Sequence, residues 1–160
     1  MIKKILWTVL LCISFVTYGQ NIKENKEINQ VLDQFHHAAA KADAKVYLNA
    51  LTDDAIFLGT DASERWTKPQ FTAFVLPYFN KGKGWLYEPK DRNISLQQHN
   101  STAFFDEILE NKKYGLCRGT GVMTRTTHGW KISQYSLSLM VPNDLAGEIT
   151  TTIKNFELKK

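Results

Sequence analysis

The sequence predicts an α+β domain in which a curved antiparallel sheet is covered by N-terminal helices around a pocket, and three observations carry that prediction. Apolar residues in the first third recur every three or four positions, the period of a helix lying on a core. From Ile94 onward the period changes to two, through four strand-like runs joined by short connections. The later runs carry Gly119, Gly121, Ser136 and Ser138, small residues that leave room beside a bent sheet.

The chain opens with Lys3 and Lys4, an uncharged apolar run from Ile5 to Val16, and the small-residue site Thr17-Tyr18-Gly19 before Gln20. This reads as a secretory signal peptide over residues 1–19, and it places the protein outside the cytoplasm, periplasmic or secreted. The run is shorter than the roughly 20 apolar residues that span a bilayer, so no stable membrane anchor is expected. Residues 20–160 form one domain, long enough to bury a core without staples. The formal net charge is +4, but the basic residues are scattered singly among acidic ones, which argues against a nucleic-acid partner. Beyond the signal, Cys117 is the only cysteine, so no internal disulfide is expected and Cys117 reads as a small buried hydrophobe.

The first helix presents Ile28, Val31, Leu32, Phe35, Ala38, Ala39, Ala42 and Val46 as one stripe, and Asp43 caps a fresh helical segment from Ala44 to Leu51. A short strand, Ala55 to Leu58, follows Asp53-Asp54, then a turn at Gly59-Thr60-Asp61. Thr67 with Gln70 is a capping-box signature for a helix from Lys68 to about Asn80, with Phe71, Phe74, Val75 and Tyr78 facing inward and Pro77 kinking it or ending it early. Lys81-Gly82-Lys83-Gly84 is a loop. The meander comprises a run around Ile94 and Leu96, then Thr102 to Glu110, Tyr114 to Thr126 and Trp130 to Val141. Pro142 ends the last strand, and Asn143 or Asp144 caps a final helix with Leu145, Ile149, Ile153 and Phe156 on one face.

Short motifs set in this order carry a family resemblance. Phe57-Leu58-Gly59-Thr60-Asp61, Glu64-Arg65-Trp66, Phe105-Asp106-Glu107, Arg118-Gly119-Thr120-Gly121-Val122, Gly129-Trp130-Lys131-Ile132 and Ser138 with Val141-Pro142 resemble the SnoaL-like branch of the nuclear transport factor 2-like superfamily, over about residues 22–142. The resemblance implies a cone-shaped α+β fold, often dimeric, with a pocket between helices and sheet that hosts many unrelated activities. It also implies that Phe57 and Trp66 lie near the pocket mouth, where they could stack on a flat ligand or simply pack in the core.

Turn lengths give an expected register. With Asn111-Lys112-Lys113 as a three-residue loop, Glu107 lies opposite Cys117, and with His128-Gly129 as a two-residue turn, Gly121 faces Ser136. The inner wall then shows Ala103, Phe105, Glu107, Cys117, Gly119, Gly121, Ile132, Gln134, Ser136 and Ser138, and the outer wall Asp106, Arg118, Val122, Tyr135, Leu137 and Leu139, apolar enough for a homodimer contact. A slip of one residue would exchange the faces. Asp106 and Arg118 are expected as a cross-strand ion pair.

Glu107 is the sharpest chemical candidate. Desolvated on a small, apolar wall, it would hold its proton more tightly and serve as a general base; satisfied by hydrogen bonds or an arginine, it would be structural. The resembling branch includes members with histidines where this chain has Gln134 and Ser136, an amide and a hydroxyl that do not move protons near neutrality. His36 and His37 point about 100° apart on a helix and His99 and His128 fall in loops, so no metal site and no cofactor are expected. The expected function is a non-catalytic module holding a small, partly apolar molecule, with Phe57, Trp66, Phe105, Glu107, Gln134 and Ser136 as pocket residues. The alternatives are an isomerase, dehydratase or cyclase of the ketosteroid isomerase type with Glu107 as base, or an interaction domain with a vestigial pocket that binds a partner through the face of Tyr135, Leu137 and Leu139.

Overall fold

A computed structural model describes the backbone of residues 2–97 and 101–159, with side chains from residue 22 onward in those spans. The expected signal peptide, residues 1–19, and His99 fall outside the residues whose side chains are described. Helix α1 (Ile2–Lys41) buries Ile28, Leu32, Phe35, Ala38 and Ala39, because these positions share one face of a 3.6-residue period. It ends where Ala42 adopts a left-handed φ of 56° and the Asp43 N–H reaches the Ala38 carbonyl at 2.9 Å. Asp43 caps α2 (Ala44–Asn49), its carboxylate accepting from the Val46 N–H at 3.0 Å. The break resets the helical phase, so Tyr47, at 2% exposure, is buried and Val46, at 42%, leaves the stripe.

Strand β1 (Leu51–Leu58) starts earlier than the sequence predicts. Asp53 and Asp54 disfavour strands, yet here they are exposed in the stretch where β1 loses register between Leu51 and Ile56, and Lys68 Nζ bonds Asp53 at 2.9 Å. Strand β2 (Arg65–Thr67) is too short to show a period and escapes sequence reading. Helix α3 (Lys68–Phe79) opens on the predicted capping box, with Gln70 Oε1 accepting from the Thr67 N–H at 2.9 Å. It runs past Pro77 to Phe79; Ala73, whose carbonyl loses a donor to the proline, is exposed to water. Phe71, Val75 and Phe79 are buried, whereas Phe74 and Tyr78, expected inside, are 36% and 47% exposed.

Strands β3 (Glu88–Leu96), β4 (Thr102–Asn111), β5 (Gly115–Thr126) and β6 (Gly129–Leu139) form the predicted meander, with β3 longer than expected because Pro89 is tolerated on an edge strand. The six-stranded sheet has the order β2-β1-β6-β5-β4-β3, with β1 parallel to β6 and every other pairing antiparallel. A short 3-10 turn, Asn143–Leu145, leads into α4 (Ala146–Glu157), whose N-cap position is Leu145, so neither Asn143 nor Asp144 caps it.

The register differs from the expected one in an instructive way. Asn111 pairs with Gly115, so the β4–β5 loop is residues 112–114, and Glu107 lies opposite Gly119 instead of Cys117. That slip of two residues leaves every side chain on its expected face. The β5–β6 turn is likewise residues 127–128, with Thr126 opposite Gly129, which keeps Ile132 inward and fully buried. Then a bulge at Ser133 adds one residue to β6 between Ile132, opposite Met123, and Gln134, opposite Val122. Beyond it the faces exchange. Tyr135 and Leu137 join the inner wall, opposite Gly121 and Gly119, while Gln134, Ser136 and Ser138 turn outward. Leu139 sits opposite buried Cys117, so the apolar outer patch of Tyr135, Leu137 and Leu139 does not exist. Asp106 and Arg118 pair with Thr120 and Ile108, and Asp106 accepts from Asn93 Nδ2 at 3.3 Å in place of the expected ion pair.

The small residues of β5 therefore house protein side chains. A methyl added to Gly119 would overlap the Tyr135 hydroxyl and come within 3.0 Å of Glu107 Cγ, and one on Gly121 would meet the Phe105 ring at 2.7 Å. Gly119→Ala is expected to lower stability in urea denaturation by about 1–3 kcal/mol through overpacking. An unchanged midpoint would mean that the glycine opens onto empty space.

Candidate functional site

Two features lie inside the cone, a buried charge cluster and an aromatic hollow. The cluster is assembled by α1, β3, β4 and β6, with His36, Arg92, Glu107 and Tyr135 at its centre. Glu107 of β4 is completely buried. Its Oε1 accepts from His36 Nε2 at 2.6 Å and from the Tyr135 hydroxyl at 3.1 Å, and its Oε2 accepts from Arg92 Nε at 2.9 Å. An ionised carboxylate only accepts hydrogen bonds, so the proton of the His36 contact sits on Nε2. Arg92 is placed by its register opposite Glu107 and continues to Asp33 Oδ1 at 2.7 Å and Asn29 Oδ1 at 3.0 Å on α1.

Burial pushes the Glu107 carboxyl up, but the hydrogen bond and charge of His36, with the charge and hydrogen bond of Arg92, outweigh it and hold the group below its ordinary value. The raised affinity for a proton expected of a general base is thus reversed, because the wall opposite the carboxylate is cationic and hydrogen-bonding instead of apolar. Burial first, and then the Glu107 charge, push the Tyr135 phenol well above its ordinary value, so Tyr135 stays protonated and donates.

The hollow opens at the other end of the same inner face, with a volume of about 240 Å³. Tyr47, Phe57, Phe71 and Leu137 form its inner part; Trp66, Phe74, Trp85, Tyr87 and Tyr114 wall it; Gly59, Thr60 and Glu64 complete its rim. The rings support one another, with Trp66 stacked on Phe74 at 4.8 Å and Phe57 on Phe71 at 3.9 Å. Trp85 Nε1 donates to the Tyr47 hydroxyl at 3.4 Å, and burial raises the Tyr47 phenol above its ordinary value. A second void of about 30 Å³, room for about one water, lies between Tyr135, His36, Leu137, Tyr87 and Trp85. Glu107 lines neither space.

Among the residues predicted for the pocket, Phe57 and Trp66 line the hollow. Phe105 is 4% exposed in the core beside Tyr135, Glu107 is completely buried and bonded to the Tyr135 hydroxyl, and Gln134 and Ser136 lie on the opposite face of the sheet. Sequence reasoning missed His36, Arg92 and Tyr135, and also Trp85, Tyr87 and Glu64. A signal for His36 was available, since it falls four residues after Leu32 and three before Ala39 on the apolar stripe. Among the described residues, no group of His, Cys, Asp and Glu is placed to hold a metal ion.

The family model described as a SnoaL-like domain matches residues 28–142. No curated protein matches the chain. Solved structures with the same fold include a candidate aromatic ring hydroxylase from Novosphingobium aromaticivorans, 19% identical, with a TM-score of 0.63 over 76% of this chain and 92% of that one. An NTF2-like protein with a cystatin-like fold from the same species is 11% identical, with a TM-score of 0.63 over 84% of this chain and 93% of that one. A candidate dehydratase of the NTF2-like family from Streptomyces avermitilis is 12% identical, with a TM-score of 0.62 over 73% of this chain and 96% of that one. At these identities the likeness shows the fold alone.

The charge cluster makes a pH prediction. A carboxyl held below its ordinary value of 4.5 contributes stability that is complete above that pH and is lost as the pH falls through its lower folded value. Glu107→Gln is expected to cost about 3 kcal/mol at pH 7 by removing the buried carboxylate that Arg92 and His36 share, and to flatten the acid limb of the stability profile below pH 4.5. Urea titrations from neutral pH downward check both; a mutant with an unchanged acid limb would remove Glu107 from the account.

Proposed function

This chain belongs to the SnoaL-like domain family, and from that membership and the geometry of its inner face we propose that it is a non-catalytic module that binds one small, partly apolar molecule in the aromatic hollow. The observation that carries the reading is the separation of the Glu107 carboxylate from the hollow. Glu107 is completely buried with three donors on its two oxygens and lines neither the hollow nor the smaller void, so it has neither the access to a ligand nor the raised basicity that proton abstraction needs. The hollow offers ring faces and a few rim polar groups, the composition of a binding site. At about 240 Å³ it lies below the roughly 300–1,000 Å³ of drug-sized sites, which favours a compact ligand.

The Lys3-Lys4 and Ile5–Val16 pattern supports an exported protein, and this reading includes export to the periplasm or beyond. It also includes a homodimer through the outer sheet face, now carried by the cross-strand pair of Phe104, 49% exposed, and Val122 in place of Tyr135 and Leu137.

Native mass spectrometry of protein purified without denaturation is expected to find a small molecule retained in a fixed ratio. Thr60→Trp, which places a bulky ring at the exposed rim, is expected to abolish that retention while leaving the fold intact by circular dichroism. Recovery of the retained molecule chemically converted on incubation with fresh protein would overturn the non-catalytic reading.

A further inference from the structure

The lining of the hollow is unbalanced in charge. Eight of its twelve residues are aromatic, and the one carboxylate among them is Glu64; no lysine or arginine lines it. Aromatic faces carry negative potential and attract cations, so rings and carboxylate act in the same direction. Glu64 is held in place without being neutralised. Its Oε2 accepts from the Asp61 N–H at 3.1 Å, and its side chain folds across Gly59, where a Cβ would overlap Oε2 and meet the Glu64 Cβ at 2.9 Å. Any residue but glycine at position 59 would push the carboxylate out of this position. No lysine, arginine or histidine forms an ion pair with Glu64 among the described residues. Tyr87 stays a neutral phenol beside it: burial, then Cys117, Tyr114 and Glu64, push its phenol up to about 12.

A partly buried anion facing ring faces lacks compensation from the protein, and a neutral or anionic ligand would leave it so or worsen it. We infer that the hollow selects a small organic cation, a quaternary or protonated amine with a compact apolar body, seated among Trp66, Phe74 and Trp85 with its charge toward Glu64. This rests on the small-molecule-binding reading and names its ligand class.

The test titrates wild-type protein and Glu64→Gln with choline and with its neutral isostere, in which a quaternary carbon replaces the nitrogen, following tryptophan fluorescence and checking by calorimetry. In wild-type protein choline is expected to bind about thirtyfold more tightly than the isostere, about threefold from cation–π attraction and about tenfold from the carboxylate. Glu64→Gln is expected to lose about tenfold for choline and to leave the isostere within about twofold. The wild-type comparison stands by itself should the variant fail to fold. Saturable binding of the isostere with no advantage to choline would overturn the cation preference and spare the binding module. Saturable binding of neither compound would overturn both.

Discussion

The structure depends on keeping one carboxylate charged in the middle of a sheet. Moving an isolated carboxylate out of water costs several kcal/mol even after relaxation, and only several well-aimed donors offset that cost. For Glu107 they come from three different elements: His36 on α1, Arg92 on β3 and Tyr135 on β6. Meeting them fixes how α1 lies on the sheet and which residue of the edge strand β3 stands opposite Glu107. Arg92 extends the constraint by binding Asp33 and Asn29 on α1, so helix and edge strand are tied twice. Twelve residues before His36 on α1 the buried Glu24 accepts from Trp130 Nε1 at 2.7 Å and pairs with Arg125, a second polar anchor of the same kind.

Between these anchors the interior is filled by rings. Phe35 stacks on Tyr47 at 4.4 Å, and Phe57 stacks on Phe71 and on Tyr135 at 3.9 and 5.2 Å. Such a stack buries large area in rigid side chains with few rotatable bonds, so it packs to interior density and leaves little free volume of its own. Tyr135 is the joint between the two systems: its ring belongs to the stack and its hydroxyl to the Glu107 cluster. The stack fills the deep part of the cone, and the open space is displaced toward Trp66, Trp85 and Tyr87. The separation of the Glu107 carboxylate from the hollow is thus a packing result, and it leaves the hollow lined by ring faces with Glu64 as the one carboxylate among them.

Much of the fold was legible. The α1 stripe, the Asp43 cap, the Thr67–Gln70 box and the four-strand meander all depend on contacts within a few residues of one another, so the local sequence contains their cause. The site was legible only in part. Glu107 was singled out, either as a desolvated acid or as a carboxylate satisfied by hydrogen bonds or an arginine, but its partners His36 and Arg92 lie 71 and 15 residues away in sequence and no local pattern names them. Phe57 and Trp66 line the hollow, while Trp85, Tyr87 and Glu64 come from connecting segments that carry no periodicity.

The sequence by itself determined the element types and their order apart from β2, and the faces of β4 and β5, since a turn displaced by one residue slips the register by two and preserves the alternation of side chains. Tertiary structure alone decided the face of β6 beyond Ser133. One extra residue there reverses the alternation, turning Tyr135 inward over Gly119 and Gly121 and sending Gln134 and Ser136 outward. A bulge is selected by the packing it permits, here a tyrosine seated over two glycines on the neighbouring strand, and that complementarity becomes visible only once the strands are side by side.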